Sequence, residues 1–306
     1  MSAPLISVVT VSLNSVSTLE RTIQSVIGQT YPQIEFIIID GGSTDGTIDI
    51  IQANKGNIAY WISEKDTGVY DAINKGISAS NGEWIYVLGS DDILYNNRTI
   101  EYLFSGSDHI DCDFLFGDVV SESFRGRYDG DFSFKKLLKR NICQQAIFYK
   151  RHLFESVGKF NLRFRSHADW EFNIRCFLDD GVRRKYVSII IANFAAGGLS
   201  SNYDIPFLEE FLIPQKIDFL YRSGDKKLMS PVEFDEWCKK NIETRNFISI
   251  VRDASNSEAG KLSIPTPDHF YPLLYVLGAA DTNDSLTFDF EGIQNSSISM
   301  RCFRFG

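Results

Sequence analysis

The stretch Glu35-Phe-Ile-Ile-Ile-Asp-Gly-Gly-Ser-Thr-Asp-Gly46 joins a continuous apolar run to a polar, glycine-rich turn. An apolar run without alternation is typical of a strand buried on both faces, as in a parallel sheet. Residues 6–13 form a similar run, and apolar residues at helical spacing follow both runs. Strands that alternate with helices in this way predict βαβ units.

The same alternation continues along the chain. Residues 58–62 and 84–88 are further strand candidates, and residues 69–79 have the pattern of a helix. After Cys112 the rhythm loosens, and the pattern predicts strands at 114–120, 146–149 and 186–194, and helices at 132–140 and 169–177. We therefore expect an α/β fold with a mostly parallel mixed sheet flanked by helices.

Composition and charge narrow the class of protein. The 306 residues carry a net charge of −9, which argues against a nucleic-acid binder, because phosphate backbones require an excess of Lys and Arg. The five cysteines are scattered without a CxxC pair, and no apolar run approaches the length that spans a bilayer. We expect a cytoplasmic protein, with at most a peripheral contact at the inner face of the membrane.

Polar and acidic residues follow four successive predicted strands. They are Ser12 and Asn14, then Asp40, then Glu64-Lys-Asp66, and finally Gly89-Ser-Asp-Asp92. Ligands bind beyond the carboxyl ends of the strands in an open parallel sheet, so we expect these groups to form one site. No G-x-G-x-x-G follows the first strand, and no P-loop motif occurs. An acidic rim binds a nucleoside diphosphate through a divalent cation, and Asp91 and Asp92 supply hard oxygen ligands for that cation.

Four segments of residues 4–92 carry a resemblance to a known family. They are Ser7-Val-Val-Thr-Val-Ser-Leu-Asn14, Ile38-Ile-Asp-Gly-Gly-Ser-Thr-Asp-Gly-Thr47, Ser63-Glu-Lys-Asp-Thr-Gly-Val-Tyr-Asp-Ala-Ile-Asn-Lys-Gly76 and Gly89-Ser-Asp-Asp92. Together they resemble the nucleotide-binding half of family 2 glycosyltransferases, which have the Rossmann-like GT-A fold. The resemblance is specific because it includes all four strand ends.

The resemblance implies a role for each residue of these segments. Asp40 would contact the base or ribose of a nucleotide-sugar donor, and Asp66 would lie near the nucleotide. Asp91 and Asp92 would form the DxD-like element, with Asp92 as the ligand of a divalent metal, Mn or Mg. The other residues expected on the donor side are Ser12, Asn14, Tyr70, Asn74 and Lys75.

The following part of the chain resembles the acceptor side of the same enzymes. The matching segments are Asn141-Ile-Cys-Gln-Gln-Ala-Ile-Phe148, Ser156-Val-Gly-Lys-Phe-Asn161 and Ala168-Asp-Trp-Glu-Phe-Asn-Ile-Arg175. The resemblance implies a general base at the start of the last helix, and we choose Asp169 with Glu171 as second choice. Gln144 stands where related sequences often carry His, which puts a metal or phosphate contact by this residue in doubt.

Each assignment has a plain structural alternative. Asp40 is also a turn former, and Asp92 and Asp169 are also helix-capping residues. The basic residues near the predicted helix at 132–140 form a solvated face, or they contact anionic lipid headgroups: Lys135, Lys136, Lys139 and Arg140.

Beyond about residue 230 the chain resembles a different family. Residues 234–237, 264–280 and 297–305 are similar to the C-terminal end of LigB-type extradiol dioxygenases, the DOPA-dioxygenase-like branch. That resemblance places His269 at a metal site, but its partner histidines would come from a part that this chain lacks. A metal held by one His is weak, so we do not expect dioxygenase activity. A gene fusion or frame accident explains the segment, and a native helical tail with a chance resemblance is the alternative.

We therefore expect three regions and one activity. Residues 1–110 would bind the nucleotide-sugar, residues 111–225 the acceptor, and residues 226–306 would form an α+β appendage. The activity would be an inverting, metal-assisted hexosyl transfer to a hydroxyl group of a glycan or lipid-linked acceptor. The alternatives are a non-catalytic nucleotide-sugar-binding protein and an extradiol dioxygenase.

Overall fold

The computed structural model describes residues 3–106, 110–121, 124–195, 204–212, 215, 231–246, 286–290, 293–294, 298–299 and 302–305. The chain divides into two compact units, Met1–Asp204 and Ile205–Gly306. The strands of the first unit are β1 (Ile6–Ser12), β2 (Ile34–Asp40), β3 (Tyr60–Ser63), β4 (Trp84–Gly89), β5 (Ile93–Leu94), β6 (Phe114–Ser121), β7 (Phe124–Tyr128), β8 (Ile147–Lys150) and β9 (Arg184–Asn193). Its helices are α1 (Leu19–Ile27), α2 (Thr47–Ala53), α3 (Val69–Ala79), α4 (Thr99–Phe104), α5 (Phe134–Leu137), α6 (Leu153–Ser156) and α7 (Ala168–Leu178).

The strands of the first unit form one mixed sheet. Their order is β3-β2-β1-β4-β8-β6-β9-β5, and β7 pairs with β6. β1 pairs in parallel with β2 and with β4, and β2 pairs in parallel with β3. β6 and β9 are also parallel, whereas the pairings that involve β5, β7 or β8 are antiparallel. The predicted α/β fold with a mixed sheet is confirmed, and its N-terminal half is the parallel half.

The apolar run of β2 is buried on both faces. Ile37, Ile38 and Ile39 are each at most 1% exposed, although successive side chains of a strand point to opposite sides. Helices therefore cover both faces of the sheet here. The run of three isoleucines predicts this because a strand with one wet face would alternate with polar residues.

Helix α3 lies very close to the sheet at Gly76. A Cβ atom on this glycine would overlap the side chain of Val9 on β1 and lie 3.3 Å from Cγ1 of Ile39 on β2. The close approach fixes the depth at which α3 packs. Val69, Tyr70 and Ile73, which precede Gly76 in this helix, line the candidate cavity.

One predicted helix is shorter in the structure, and the pattern misses the short helices α4 and α6 and two short strands. The helix expected at 132–140 is limited to α5, because Ser133 caps its start by accepting from the backbone N–H of Lys136, and residues 138–140 continue only as a turn and a bend. The pattern does not predict β5, which has only two residues, or β7, which contains a glycine between arginines. Strands this short or this polar leave no apolar periodicity to read.

The described part of the second unit contains a π-helix (Phe207–Leu212), helix α8 (Pro231–Glu243) and four strands. β10 (Leu286–Phe290) pairs antiparallel with β13 (Cys302–Phe305), and β11 (Ile293–Gln294) pairs antiparallel with β12 (Ile298–Ser299). The expected α+β appendage fits these elements. His269 and the rest of the segment 264–280 lie outside the described residues.

Among the residues that the structure describes, none of the helices combines the length and the apolar character that crossing a bilayer requires.

We predict that Gly76→Ala destabilises the protein even though Ala favours a helix. Ala gains about 1 kcal/mol in helix propensity, whereas overpacking a filled core costs about 1–3 kcal/mol. We therefore expect a lower melting temperature in differential scanning fluorimetry. Gly56→Ala is the matched control, because no atom lies within 4 Å of its Cβ position. An unchanged or higher melting temperature for Gly76→Ala would show that α3 can move away from the sheet.

Candidate active site

The carboxyl ends of the parallel strands open into a cavity of about 560 Å³. Its walls come from the ends of β1 and β4, from α3, from the segment before β8, and from the start of α7. The polar residues among its lining are Tyr70, Asp91, Asp92, Tyr128, Lys139, Arg140, Asn141, Cys143, Gln144, Gln145, Ser166, His167, Asp169 and Trp170. The acidic pair at 91–92 and the predicted base Asp169 therefore open into the same space.

Asp91 and Asp92 converge beside Gly89, the last residue of β4. The position that a Cβ atom on Gly89 would take lies 2.6 Å from Oδ2 of Asp92 and 3.0 Å from Oδ1 of Asp91. Only glycine leaves both carboxylates room at this point. Two carboxylates that converge on one side of a cavity are a suitable protein contribution to a Mg²⁺ or Mn²⁺ site, which takes further ligands from phosphate and water.

Asp92 is buried and held by two donors. Its Oδ1 accepts a hydrogen bond from the backbone N–H of Ala195 at 2.8 Å, and its Oδ2 accepts one from Nε2 of Gln145 at 2.5 Å. Burial raises the pKa of Asp92 to about 6, because these hydrogen bonds only partly offset the loss of water. The neighbouring Asp91 is exposed.

Asp169 lies in the first turn of α7, where the helix dipole favours a negative charge. Its Oδ1 accepts a hydrogen bond from the hydroxyl of Tyr70 at 2.6 Å, and its Oδ2 accepts one from Nδ2 of Asn141 at 2.7 Å. Burial raises the pKa of Asp169 above its ordinary value, against the effect of these hydrogen bonds. Each oxygen keeps a further lone pair that can accept a proton from a substrate hydroxyl.

Asp40 at the end of β2 is fully buried and is not among the residues that line the cavity. Its carboxylate accepts hydrogen bonds from the hydroxyls of Ser12, Ser43 and Ser63 and from the backbone N–H groups of Gly42 and Ser43. Burial acts to raise the pKa of Asp40, but the hydrogen bonds outweigh it and the pKa lies below its ordinary value. Asp40 thus holds together the turn that follows β2. Its predicted contact with the base or ribose stays a prediction.

The other residues expected on the donor side have different environments. Asn14 has a positive φ of 51°, and its Oδ1 accepts a hydrogen bond from the backbone N–H of Thr44 at 3.0 Å. Asp66 accepts a hydrogen bond from the backbone N–H of Gly68 at 2.9 Å. Lys75 forms an ion pair with Glu64 at 2.8 Å. None of these three residues is among those that line the cavity described above.

Asn74 joins helix α3 to the segment between α6 and α7. Its Nδ2 donates to the backbone carbonyl of Phe160 at 2.9 Å, and its Oδ1 accepts from the backbone N–H of the same residue at 3.2 Å. Both ends of its amide are therefore engaged by the chain. The predicted donor contact of Asn74 remains a prediction.

Glu171, the second choice for the base, is buried in a separate ion pair. Nε of Arg175 lies 2.7 Å from Oε1 of Glu171, and Nη2 lies 2.9 Å from Oε2. Burial raises the pKa of Glu171, and Arg175 opposes that effect. Glu171 is absent from the residues that line the cavity described above, so the geometry favours Asp169.

A family model described as Glycosyl transferase family 2 matches residues 7–169, more than half of the chain. The chain belongs to this glycosyltransferase family. The glycosyltransferase is 40% identical over 208 residues to the PGL/p-HBAD biosynthesis glycosyltransferase of Mycobacterium bovis (strain BCG / Pasteur 1173P2), with 66% of this chain and 81% of that protein covered. It is 27% identical over 251 residues to glycosyltransferase GlyG of Streptococcus pneumoniae serotype 4, with 78% and 77% covered.

Solved structures show the same fold at low identity. The glycosyltransferase matches S. aureus TarS 1-349 in complex with UDP with a TM-score of 0.60 and 16% identity, over 89% of this chain and 78% of that chain. It spans 48% of a longer TarS chain. It matches the mannosyltransferase PcManGT from Pyrobaculum calidifontis, in complex with GDP-Man and Mn²⁺, with a TM-score of 0.50 and 16% identity, over 73% and 66%. The predicted GT-A fold is confirmed.

Sequence reasoning missed the residues that hold the carboxylates of this glycosyltransferase in place. Gln145 and Ala195 bind Asp92, and Asn141 binds Asp169. The segment containing Asn141 and Gln145 resembles the family, which is the one signal that marks it. Ala195 contributes only a backbone N–H, and no side chain in the sequence reports that.

We predict that Asp92→Asn stabilises the glycosyltransferase at neutral pH in the presence of a chelator. A carboxyl group with a raised folded-state pKa binds its proton more tightly in the folded state, so stability falls as the pH rises from about 4 to about 6. Asn cannot ionise, and the amide of Gln145 can turn over to accept from it. Two pKa units correspond to at most about 3 kcal/mol, and we expect about 1–3 kcal/mol at pH 7.5.

The measurement is the melting temperature at pH 7.5 and at pH 4. The gain should shrink at the lower pH, where Asp92 is protonated in the folded wild-type protein. Asp91→Asn is the control, because Asp91 is exposed and its neutralisation should leave stability nearly unchanged. A lower melting temperature for Asp92→Asn at both pH values would contradict the prediction.

Proposed function

We propose that this glycosyltransferase moves a hexosyl group from a nucleotide-sugar to an acceptor hydroxyl with inversion at the anomeric carbon. The observation that carries the proposal is that Asp91-Asp92 and Asp169 open into one cavity. A diphosphate leaving group beside Asp91-Asp92 and an acceptor hydroxyl beside Asp169 would place the anomeric carbon between them. Holding two reactants in this way lowers the entropic part of the barrier.

The proposed reaction is a single displacement. The acceptor oxygen attacks the anomeric carbon, and its proton passes to a free lone pair of the Asp169 carboxylate. The bond from the anomeric carbon to the diphosphate oxygen breaks, and the nucleoside diphosphate leaves with the electron pair. Because attack and departure occur on opposite faces of the sugar, the configuration inverts. Tyr70 and Asn141 hold the carboxylate in a fixed orientation for the transfer.

We propose that Asp92, with Asp91, holds a divalent metal ion, Mn or Mg. The convergence of the two carboxylates beside Gly89 supports this assignment. When bound, the ion would neutralise charge on the departing diphosphate. A structural neighbour, PcManGT, was solved with Mn²⁺ and a nucleotide-sugar, which supports the same arrangement by analogy of fold.

The donor would lie along the carboxyl ends of β1, β2 and β4. We propose that Asp40 and Asp66 face the nucleoside, and that Ser12, Asn14, Tyr70, Asn74 and Lys75 complete the donor side. Structural neighbours were solved with UDP, UDP-GlcNAc and GDP-Man. These are the donors to test first. In this proposal residues 1–110 bind the donor and residues 111–225 bind the acceptor.

We propose a glycan or lipid-linked acceptor. Tyr128, Trp170 and Phe194 line the cavity, and aromatic rings bury the apolar faces of such ligands. The name of a 40% identical relative, a PGL/p-HBAD biosynthesis glycosyltransferase, is in line with a specialised acceptor.

Near the cavity, Lys135 and Lys139 are exposed. We propose that they contact anionic headgroups at the cytoplasmic face of the membrane. The protein should then sediment with anionic vesicles more than with neutral vesicles. Equal sedimentation with both kinds of vesicle would contradict this contact.

The C-terminal resemblance to extradiol dioxygenases remains a prediction. No contact among the described residues favours ring cleavage, and His269 lies outside them. A non-catalytic nucleotide-sugar-binding protein is the alternative that has to be separated by experiment.

The first test is a thermal-shift panel of nucleoside diphosphates and nucleotide-sugars with Mn²⁺. A ligand that binds only the folded state raises the melting temperature. At a hundredfold excess over Kd it raises the free energy of unfolding by about 2.7 kcal/mol. The identified donor is then assayed for turnover with an acceptor or with water. Binding without turnover would support the non-catalytic alternative.

We predict that Asp169→Asn lowers kcat by about 10²–10⁴-fold, the usual contribution of a general base. The thermal shift by the donor should persist, because Asp169 serves the acceptor. Glu171→Gln is the matched variant, and it should lose stability with its Arg175 ion pair rather than turnover. The reverse result, with Glu171→Gln inactive and Asp169→Asn active, would assign the base to Glu171.

A further inference from the structure

A directional chain of hydrogen bonds ends on Asp169. The hydroxyl of Tyr149 on β8 donates to Oδ1 of Asn173 at 2.9 Å. Nδ2 of Asn173 on α7 donates to Oδ1 of Asn141 at 2.9 Å, and Nδ2 of Asn141 donates to Oδ2 of Asp169 at 2.7 Å. Tyr149 and Asn173 are completely buried. Every link of the chain donates toward the carboxylate.

The ionised carboxylate fixes the direction of every link. A carboxylate only accepts hydrogen bonds, so Asn141 must turn its N–H group toward Asp169 and its carbonyl toward Asn173. Asn173 must then donate to that carbonyl, and its own carbonyl must accept from Tyr149. Hydrogen bonds in such a chain polarise one another and strengthen the last link.

The opposite direction is poorly satisfied. If Oδ2 of Asp169 carried a proton and donated to Asn141, both amides would have to turn over, and Tyr149 would have to accept from Asn173. The hydroxyl of Tyr149 would then need another acceptor. Among the described residues, the other acceptor within its reach is Oε1 of Gln144, at 3.5 Å, a much longer contact than 2.9 Å. The chain therefore keeps Oδ2 as an acceptor, and an ionised oxygen accepts from the N–H of Asn141 more strongly than the carbonyl oxygen of a carboxyl group protonated at Oδ1.

We propose that Asn173 is a positioning residue for the general base: by donating to Asn141 it fixes the direction of the chain and holds Asp169 ionised and oriented. Asn173 itself is not among the residues that line the cavity. The inference rests on the proposed function, in which Asp169 accepts the proton of the acceptor hydroxyl. It adds to that function a residue that acts on Asp169 through Asn141 and does not contact Asp169 in this chain of hydrogen bonds.

Other titratable groups face Asp169 from the surrounding elements. They are Tyr70 from α3, His167 before α7, Tyr149 from β8 and Cys143 from the segment before β8. A positive charge on His167 favours the ionised carboxylate, as the chain does. Asn173→Leu leaves all of these groups unaltered, whereas Tyr149→Phe also removes one of them.

The test is the pH dependence of kcat/KM for the acceptor in Asn173→Leu and Tyr149→Phe. Activity requires ionised Asp169, so it falls on the acid side as the carboxylate becomes protonated. In Asn173→Leu, the acid limb of the kcat/KM profile should move to higher pH by about one unit. At a pH on the acid side of the limb, kcat/KM should therefore fall about tenfold. Tyr149→Phe keeps the ring and removes one link, and the shift should have the same sign and be smaller.

Tyr31→Phe is the matched control. It also removes one buried tyrosine hydrogen bond, from Tyr31 to the carbonyl of Pro4 at 2.7 Å, far from the cavity. Its acid limb should not move. If Asn173→Leu does not fold, the shift in Tyr149→Phe decides the question.

Two failures are distinguishable. If Asp169→Asn is inactive but both chain variants lose rate by the same factor at every pH, then Asn173 only supports the fold and the inference is overturned. If Asp169→Asn keeps its turnover, the base assignment fails and the inference falls with it. A shifted acid limb in both variants, together with an inactive Asp169→Asn, supports both.

Discussion

Strand β1 lies between its two parallel partners, β2 and β4. This double pairing fixes where the three strands end on the proposed donor side. Val11 is opposite Gly89 on β4, and Ser12 is opposite Asp40 on β2. A shift of one residue would turn each side chain to the other face of the sheet. Asp40 would then lose Ser12, and the acidic pair after Gly89 would leave the cavity. The site depends on the backbone register before it depends on any side-chain contact.

Three buried or half-buried carboxylates differ because their donors differ. Asp40 has five hydrogen bonds, and the pKa is lowered despite burial. Asp92 has two strong donors, and burial raises its pKa to about 6, so it gains from a nearby cation. Asp169 has a phenol and an amide, and its pKa is raised as well. One residue type thus serves as a structural anchor, a candidate metal ligand and a candidate base, according to its surroundings.

The sequence predicts the parallel half of the fold well because buried strands and amphipathic helices leave local patterns. It also indicates Asp91 and Asp92, since acidic residues after a buried strand stand out, whereas Asp169 is implied by the family resemblance. It does not indicate Ala195, whose contribution to Asp92 is a backbone N–H more than a hundred residues away. Nor does it indicate Asn173, because a buried Asn in a helix has no local pattern. Such contacts exist only once the chain has folded.

Helix α3 connects the parallel half of the sheet to the segments around α7 in the first unit. Tyr70 at its start binds Asp169, and Asn74 binds the backbone of Phe160. Gly76 holds the same helix against β1 and β2. The proposed donor and acceptor sides are therefore coupled through α3 and are not interchangeable modules. A chimera that joins the first hundred residues of one relative to the rest of another has to carry matching partners for α3, or it will misplace the base while both halves still fold.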